Sequence, residues 1–400
     1  MKNLKNHFYF KGKKAEEFVH DLALKTFLTD WCYLNPRLPN GKELCDLLIV
    51  FDSVAIIWQI KDLKLGKQGK YKISEVEKNL SQLSGARRQL FDLKTGIVLE
   101  NPRRGKEKFN PNNIKEIFLL SALLGEEEDF SPLIKEFKNH TVHVFTRRFT
   151  EIILSELDTI SDFTEYLRKK ETCLRKIKSF TIIGGEEELL ASYLFDGRNF
   201  EKFVKADFVM IDKGSWAQLK NKPEYIAKKK ADEISYGWDS IIDRAHEGSV
   251  KYEKVARELA RPNRFQRRYL SKVFYDAHVQ AHKDNVHDLY RRVFPTKGVT
   301  YCFLFADDSG SRELRKSMLV AICLVSRAKY QENKKVIGIA TEKKIEPECS
   351  YDFCILDIPK WTEENKQKVD RIQKDLGIFI NPTIKTIHEQ EYPQVNKIKE

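Results

Sequence analysis

Three polar residues interrupt an otherwise apolar stretch of this 400-residue chain: Asp46, Gln59 and Lys61. Residues 47–51 and 54–60 are two runs rich in β-branched and aromatic side chains, and Asp52-Ser53 between them has turn chemistry. The pattern predicts a β-hairpin buried on both faces. Asp46 opens the first strand. Gln59 and Lys61 close the second, and the two-residue period of a strand points both to one face. A carboxylate, an amide oxygen and an ammonium then converge at one corner of an apolar hairpin. Burying such groups is costly without partners, and the usual reason to accept that cost is a site. Phosphodiester hydrolysis is the chemistry that suits the set. It needs a hard cation to polarise the phosphate and acidify an attacking water, and Mg²⁺ takes oxygen ligands, commonly one or two carboxylates. Asp46 supplies a charged oxygen and Gln59 a neutral one. Lys61 can orient the water or stabilise charge in the transition state. The bland alternative is a buried strand pair with polar ends.

The arrangement resembles the PD-(D/E)xK nuclease superfamily, and its Gln-x-Lys form is most similar to the Mrr-like branch of restriction enzymes. The matching residues are Asp46, Gln59 and Lys61; Cys45 stands where the superfamily name has Pro. The resemblance implies an α/β fold with a restriction-endonuclease-like αβββαβ core, and a Mg²⁺-dependent (or Mn²⁺-dependent) endonuclease acting on DNA, with RNA not excluded as substrate. It also implies bacterial defence against foreign DNA as the setting. In that superfamily a Glu on the first helix often completes the metal site, which makes Glu16, Asp46 and Gln59 the expected ligands and Lys61 the water-positioning residue. A nuclease fold kept without activity, for binding or regulation, is the alternative.

The elements that must position these groups are legible around them. Residues 13–28 predict an amphipathic helix with Ala15, Phe18, Val19, Leu22 and Ala23 on one face. Glu16 lies near the edge of that face and Glu17 nearly opposite; Glu16 also reads as a first-turn acid complementing the helix dipole. After Lys61 comes a Lys/Gly loop, with Lys64, Lys67 and Lys70 as candidate contacts to a nucleic-acid backbone. Ser74 is the expected N-cap of a helix over 75–94, from which Gln82 could face the site. Arg87 and Arg88 on the same helix are candidate phosphate contacts or ordinary surface residues. Strands are expected at 117–124 and 142–145, helices at 149–157 and 161–177, and the nuclease domain is expected to end at 178.

Residues 179–295 read as a mainly helical basic region. Between 261 and 292 lie eight Lys/Arg against three Asp, with Phe265, Tyr269, Phe274 and Tyr275 interleaved. Arg264, Arg267 and Arg268 are the candidate nucleic-acid contacts there, with helix capping or pairing to nearby acids as the alternative. Residues 296–400 read as a C-terminal α/β domain for substrate selection or sensing. Its strands are expected at 299–305, 336–340 and 353–358, its helices at 312–329 and 363–376. Neither a Walker loop nor Gly-x-Gly-x-x-Gly is present, so nothing indicates ATP-driven translocation. The net charge of +12 favours an anionic partner. DNA is the expected one, and a homodimer or a partner defence protein is compatible with the chain. Seven scattered Cys without Cys-x-x-Cys read as reduced thiols. No apolar run is long enough to span a membrane, so a cytoplasmic location is expected.

Overall fold

A computed structural model describes residues 2–66, 69–93, 96–125, 133–248, 250–307, 310–345, 349–380 and 382–394, the side chains from Lys14 onward. The fold is mixed α/β, and the chain divides into two compact units, Met1–Ile226 and Ala227–Glu400. This differs from the three-part reading. The divide expected at 178/179 lies inside the first unit, and the one at 295/296 falls inside a β-hairpin of the second.

The first unit opens with α1 (Lys2–Phe27), followed by β1 (Cys32–Leu34), β2 (Leu47–Phe51) and β3 (Val54–Lys61). These three strands form an antiparallel meander. Asp52 takes the tight β2–β3 turn at φ 52°, a left-handed conformation that Asp tolerates. The hairpin is buried on both faces. Helix α2 (Ile73–Arg87) follows and continues into one π-helical turn at Arg88–Asp92. It begins at Ile73 with Lys72 as its cap residue, so Ser74 sits within the first turn and is not the N-cap.

A small ribbon, β4 (Val98–Asn101) and β5 (Gly105–Lys108), then leads to β6 (Glu116–Leu123), β7 (Ile134–Phe137) and β8 (His140–Thr146). The main sheet runs β1-β2-β3-β6-β8-β7, with β3, β6 and β8 parallel. Helix α2 covers one face through Leu80, Leu83 and Leu90, packed on Leu48, Ile57 and Leu119. The other face buries Trp58 against Phe145 and Phe163, the latter from α4 (Ile160–Lys176), which follows α3 (Arg147–Glu156). The unit continues through β9 (Phe180–Ile182), α5 (Glu186–Phe195), α6 (Glu201–Lys205), β10 (Val209–Ile211) and α7 (Ser215–Lys220), with β9 and β10 forming a parallel pair.

Helix α8 (Pro223–Asp232) leads into the second unit, which then contains α9 (Tyr236–Gly248), α10 (Glu253–Ala260) and α11 (Arg264–Lys283). Its sheet is β11 (Leu289–Pro295), β12 (Val299–Ala306), β13 (Lys335–Glu342) and β14 (Asp352–Asp357) in that order. β12 and β13 are parallel, joined by α12 (Arg312–Lys329); the outer strands are antiparallel. Helix α12 and α13 (Glu363–Leu376) bury one face of the sheet. On the other, Trp238 of α9 and Phe274 of α11 meet Tyr301 and Phe303 of β12. β11 lies in the stretch expected to be helical. Its Leu-Tyr-Arg-Arg-Val-Phe-Pro sequence is paired along its whole length with β12, and sheet pairing overrides weak helical patterning there.

Candidate active site

Strand register builds the first contact. Leu47 faces Trp58, so Asp46, the residue just before β2, stands opposite Gln59. Gln59 Nε2 donates to Asp46 Oδ2 at 2.6 Å, and the Ile60 N–H donates to the same oxygen. Asp46 and Gln59 are 3% and 4% exposed, while Lys61, at the end of β3, is half-buried. The Lys61 carbonyl accepts the Leu124 N–H at 2.6 Å, which pins the strand end to the residue after β6.

Helix α1 is tied to this corner by His20. Its Nε2 lies 3.0 Å from the Asp46 carbonyl, and burial lowers the imidazole pKa, so the ring is neutral and serves as an N–H donor. Glu16, four residues earlier on the same helix face, thereby lines the cleft with Asp46, Gln59 and Lys61. The cleft holds about 420 Å³. Its far wall is α2 and its π turn, presenting Gln82, Gly85, Ala86 and Gln89. Buried Asn79 steadies that wall, its amide nitrogen lying 3.5 Å from the Gln59 carbonyl.

Sequence reasoning missed Glu43, His20 and Gln89. Glu43 lines the same cleft and hydrogen-bonds to the Asp46 side chain. Burial pushes the Asp46 carboxyl up to about 7. The Glu43 bond and the Glu16 charge add to the rise, while the Ile60 N–H and the Lys61 charge oppose it. Gln89 follows Gln82 by seven residues, a same-face spacing readable from sequence once Gln82 is chosen. His20 could have been found as the fourth residue after Glu16. Glu43 could not, because the turn at 37–43, closed by a bridge between Arg37 and Glu43, is what brings it in.

The oxygens gathered here suit a hard cation. Among the described residues no group of three or more His, Cys, Asp or Glu is arranged to hold a metal. Mg²⁺ does not require such a cage, since one or two carboxylates with waters and substrate phosphates suffice. Two carboxylates, Glu16 and Asp46, and the Gln59 amide meet that description. The Asp46 pKa is raised chiefly by burial, with the Glu43 hydrogen bond and the Glu16 charge adding to it, and a cation bound there would favour the ionised carboxylate.

The remaining expected contacts divide. Lys64 and Lys70 are exposed on the loop after β3, which is tightened by a Leu65–Tyr71 bridge; Lys67 lies outside the described residues. Arg88 is exposed, and Arg87 pairs with Asp92 at 3.1 Å. Arg264, Arg267 and Arg268 are a correction: all three are buried. Arg264 and Arg267 fork onto Asp239 at 2.8 and 2.6 Å, and Arg267 also donates to the Ala260 and Pro262 carbonyls. Arg268 pairs with Asp232 at 3.1 Å and donates to the carbonyls of Gln390 and Glu391. Their charge is consumed inside the second unit, so they are not a nucleic-acid surface.

No family model, curated protein or solved structure matches the chain. Among the described residues no helix is long and apolar enough to cross a membrane.

Proposed function

We propose that the chain is a divalent-metal-dependent endonuclease of the PD-(D/E)xK class, hydrolysing DNA phosphodiester bonds in defence against foreign DNA. One observation carries the reading: Glu16 from α1, Asp46 before β2, and Gln59 and Lys61 from β3 line a single cleft. The order of helix, three-stranded meander, helix and two parallel strands supports it as the αβββαβ core of that class. Glu16, Asp46 and the Gln59 carbonyl would hold Mg²⁺ or Mn²⁺, which when bound polarises the phosphate and acidifies an attacking water. Gln59 and the Ile60 N–H orient the Asp46 carboxylate through one oxygen, and a cation bound at this carboxylate would displace the Glu43 hydrogen bond to it. The Lys61 ammonium, two residues along the same strand face, points its charge where negative charge grows on the phosphate. Lys64 and Lys70 supply backbone grip beside the cleft.

A second reading has its own observation. An Asp46 carboxyl held by two donors and pushed up to about 7 could be a neutral structural acid in a fold kept for binding or regulation. The deciding experiment incubates the purified protein with linear, circular and single-stranded DNA and with RNA, in Mg²⁺, Mn²⁺ or EDTA. Metal-dependent cutting that Asp46→Ala abolishes supports the nuclease. Nucleic-acid binding without cutting in any metal favours the inactive reading, and cutting of RNA alone reassigns the substrate.

A further inference from the structure

Three of the seven cysteines meet in the second unit. Cys302 on β12 is registered to Gly338 on β13, and Gly338 to Cys354 on β14, so the two thiols flank a glycine in one row across three strands. Directly opposed residues point to the same face of a sheet, here the face covered by α12. Cys323 of α12 sits over the glycine: a Cβ at Gly338 would lie 2.6 Å from the Cys323 sulfur. The missing side chain is what lets that thiol settle between the other two. Cys354 lies on an edge strand and is partly buried, whereas the other six cysteines are buried.

We propose that Cys354 and Cys323 are a peroxide-responsive thiol pair, with Cys354, the one cysteine not fully buried, the entry thiol and Cys323 the resolving one. In the first step the Cys354 sulfur attacks one oxygen of hydrogen peroxide. The O–O bond breaks, the departing oxygen leaves as water, and Cys354 becomes a sulfenic acid. In the second, the Cys323 sulfur attacks the Cys354 sulfur, a second water departs, and an S–S bond joins α12 to β14. Two thiols lose two electrons and two protons, and the peroxide accepts both.

The electrostatics favour Cys354, not Cys323, as the thiol that meets the peroxide first. Cys323 keeps its proton, held well above the ordinary thiol range by hydrogen bonding to Cys302 and Cys354 and by burial. The same hydrogen bond lowers the pKa of Cys354, favouring the thiolate that reacts. Burial pushes Cys45 well up and Cys173 up to about 11, so neither competes with Cys354 as the first thiol to meet peroxide. The bland account is that all three thiols are small core side chains and inert.

Full-length protein treated with stepwise equivalents of hydrogen peroxide, alkylated and mapped by mass spectrometry decides between them. The expected result is a mass loss of about 2 Da for one S–S bond, two lost alkylation sites, and joined peptides bearing residues 323 and 354, all reversed by dithiothreitol. In Cys323→Ser the link is lost and dimedone traps sulfenic acid at Cys354; in Cys302→Ser the link persists. A link involving Cys302, no link at all, or Cys354 oxidising no faster than the buried cysteines overturns the assignment. The wild-type map needs no variant, so a misfolded variant leaves the test standing. No readout depends on nucleic-acid cleavage, so the outcome is independent of the nuclease reading.

Discussion

The cleft at Asp46 and the arginine cluster of α11 look alike in sequence, since each is a set of charged residues among apolar ones. In the structure they are opposites. The polar groups of the cleft come from α1, the residue before β2 and the end of β3. The arginines sit on the face of one helix that continues inward: positions 264, 267, 268, 271, 274, 277, 278 and 281 are all buried, an i, i+3, i+4, i+7 series. The arginines extend the apolar stripe, and Asp232 and Asp239 of neighbouring elements neutralise them. Of the interleaved aromatics Phe274 is buried in the core, while Phe265, Tyr269 and Tyr275 are half-buried. Charge in a sequence becomes a surface only when it lies off the buried period.

The largest expected difference between the two regions is in activity. Asp46→Ala should bring metal-dependent cleavage below detection while circular dichroism and nucleic-acid binding stay near wild type. The arginine region should behave in reverse. Arg268→Ala removes one of the two cations on buried Asp232, which keeps Lys228, and takes the donor from the Gln390 and Glu391 carbonyls, a change worth about 1–3 kcal/mol. It should show as a drop in melting temperature, with cleavage per folded molecule and the salt dependence of binding both unchanged. A fall in the salt slope without lost stability would return α11 to the nucleic-acid surface.

Much of this was legible before the structure. The hairpin declared itself by composition, and both helices of the C-terminal region fell at their expected bounds, residues 312–329 and 363–376. β11 was not legible, because its pairing with β12 is decided by tertiary contact and two central arginines hide its alternation. The Asp46–Gln59 pairing follows from the hairpin register, which a two-residue turn fixes. Glu43 stayed hidden because a turn, with no period to read, carries it to Asp46.

The raised Asp46 pKa gives a stability test that sharpens the contrast between a functional and a structural buried charge. In metal-free protein the folded state holds a proton on Asp46 up to about pH 7, while the unfolded chain releases it near its ordinary value, about 4. Folded protein therefore binds more protons across that window, and stability falls as pH rises through it. Asp46→Asn removes the ionisation and keeps the acceptor oxygen for Gln59 and Ile60. In EDTA its advantage over wild type should grow from pH 4 to a plateau above pH 7, on the order of 4 kcal/mol. Saturating Mg²⁺ should stabilise wild type and not the variant. Identical melting curves for the two proteins across this range would contradict the strained-acid account.

The smallest effect concerns the basic loop after β3, to which the proposed function assigns the grip on the nucleic-acid backbone. Lys64, Lys70 and Lys72 are exposed there, and none lines the cleft at Asp46. If each neutralises one phosphate, replacing all three with Gln lowers the slope of log K against log salt by roughly 0.9 per contact. Binding should weaken equally for all sequences, because phosphates carry no base identity. Cleavage at saturating DNA should hardly change, since no group acting on the scissile phosphate is altered. Exposed lysines hold little of the fold together, so melting temperature should also stay within a degree or two of wild type. The measurement is a salt titration of binding by wild type, the lysine triple variant and Arg268→Ala. An unchanged slope in the lysine variant would leave backbone grip to Arg88 and its neighbours on the π turn, on the opposite wall of the cleft.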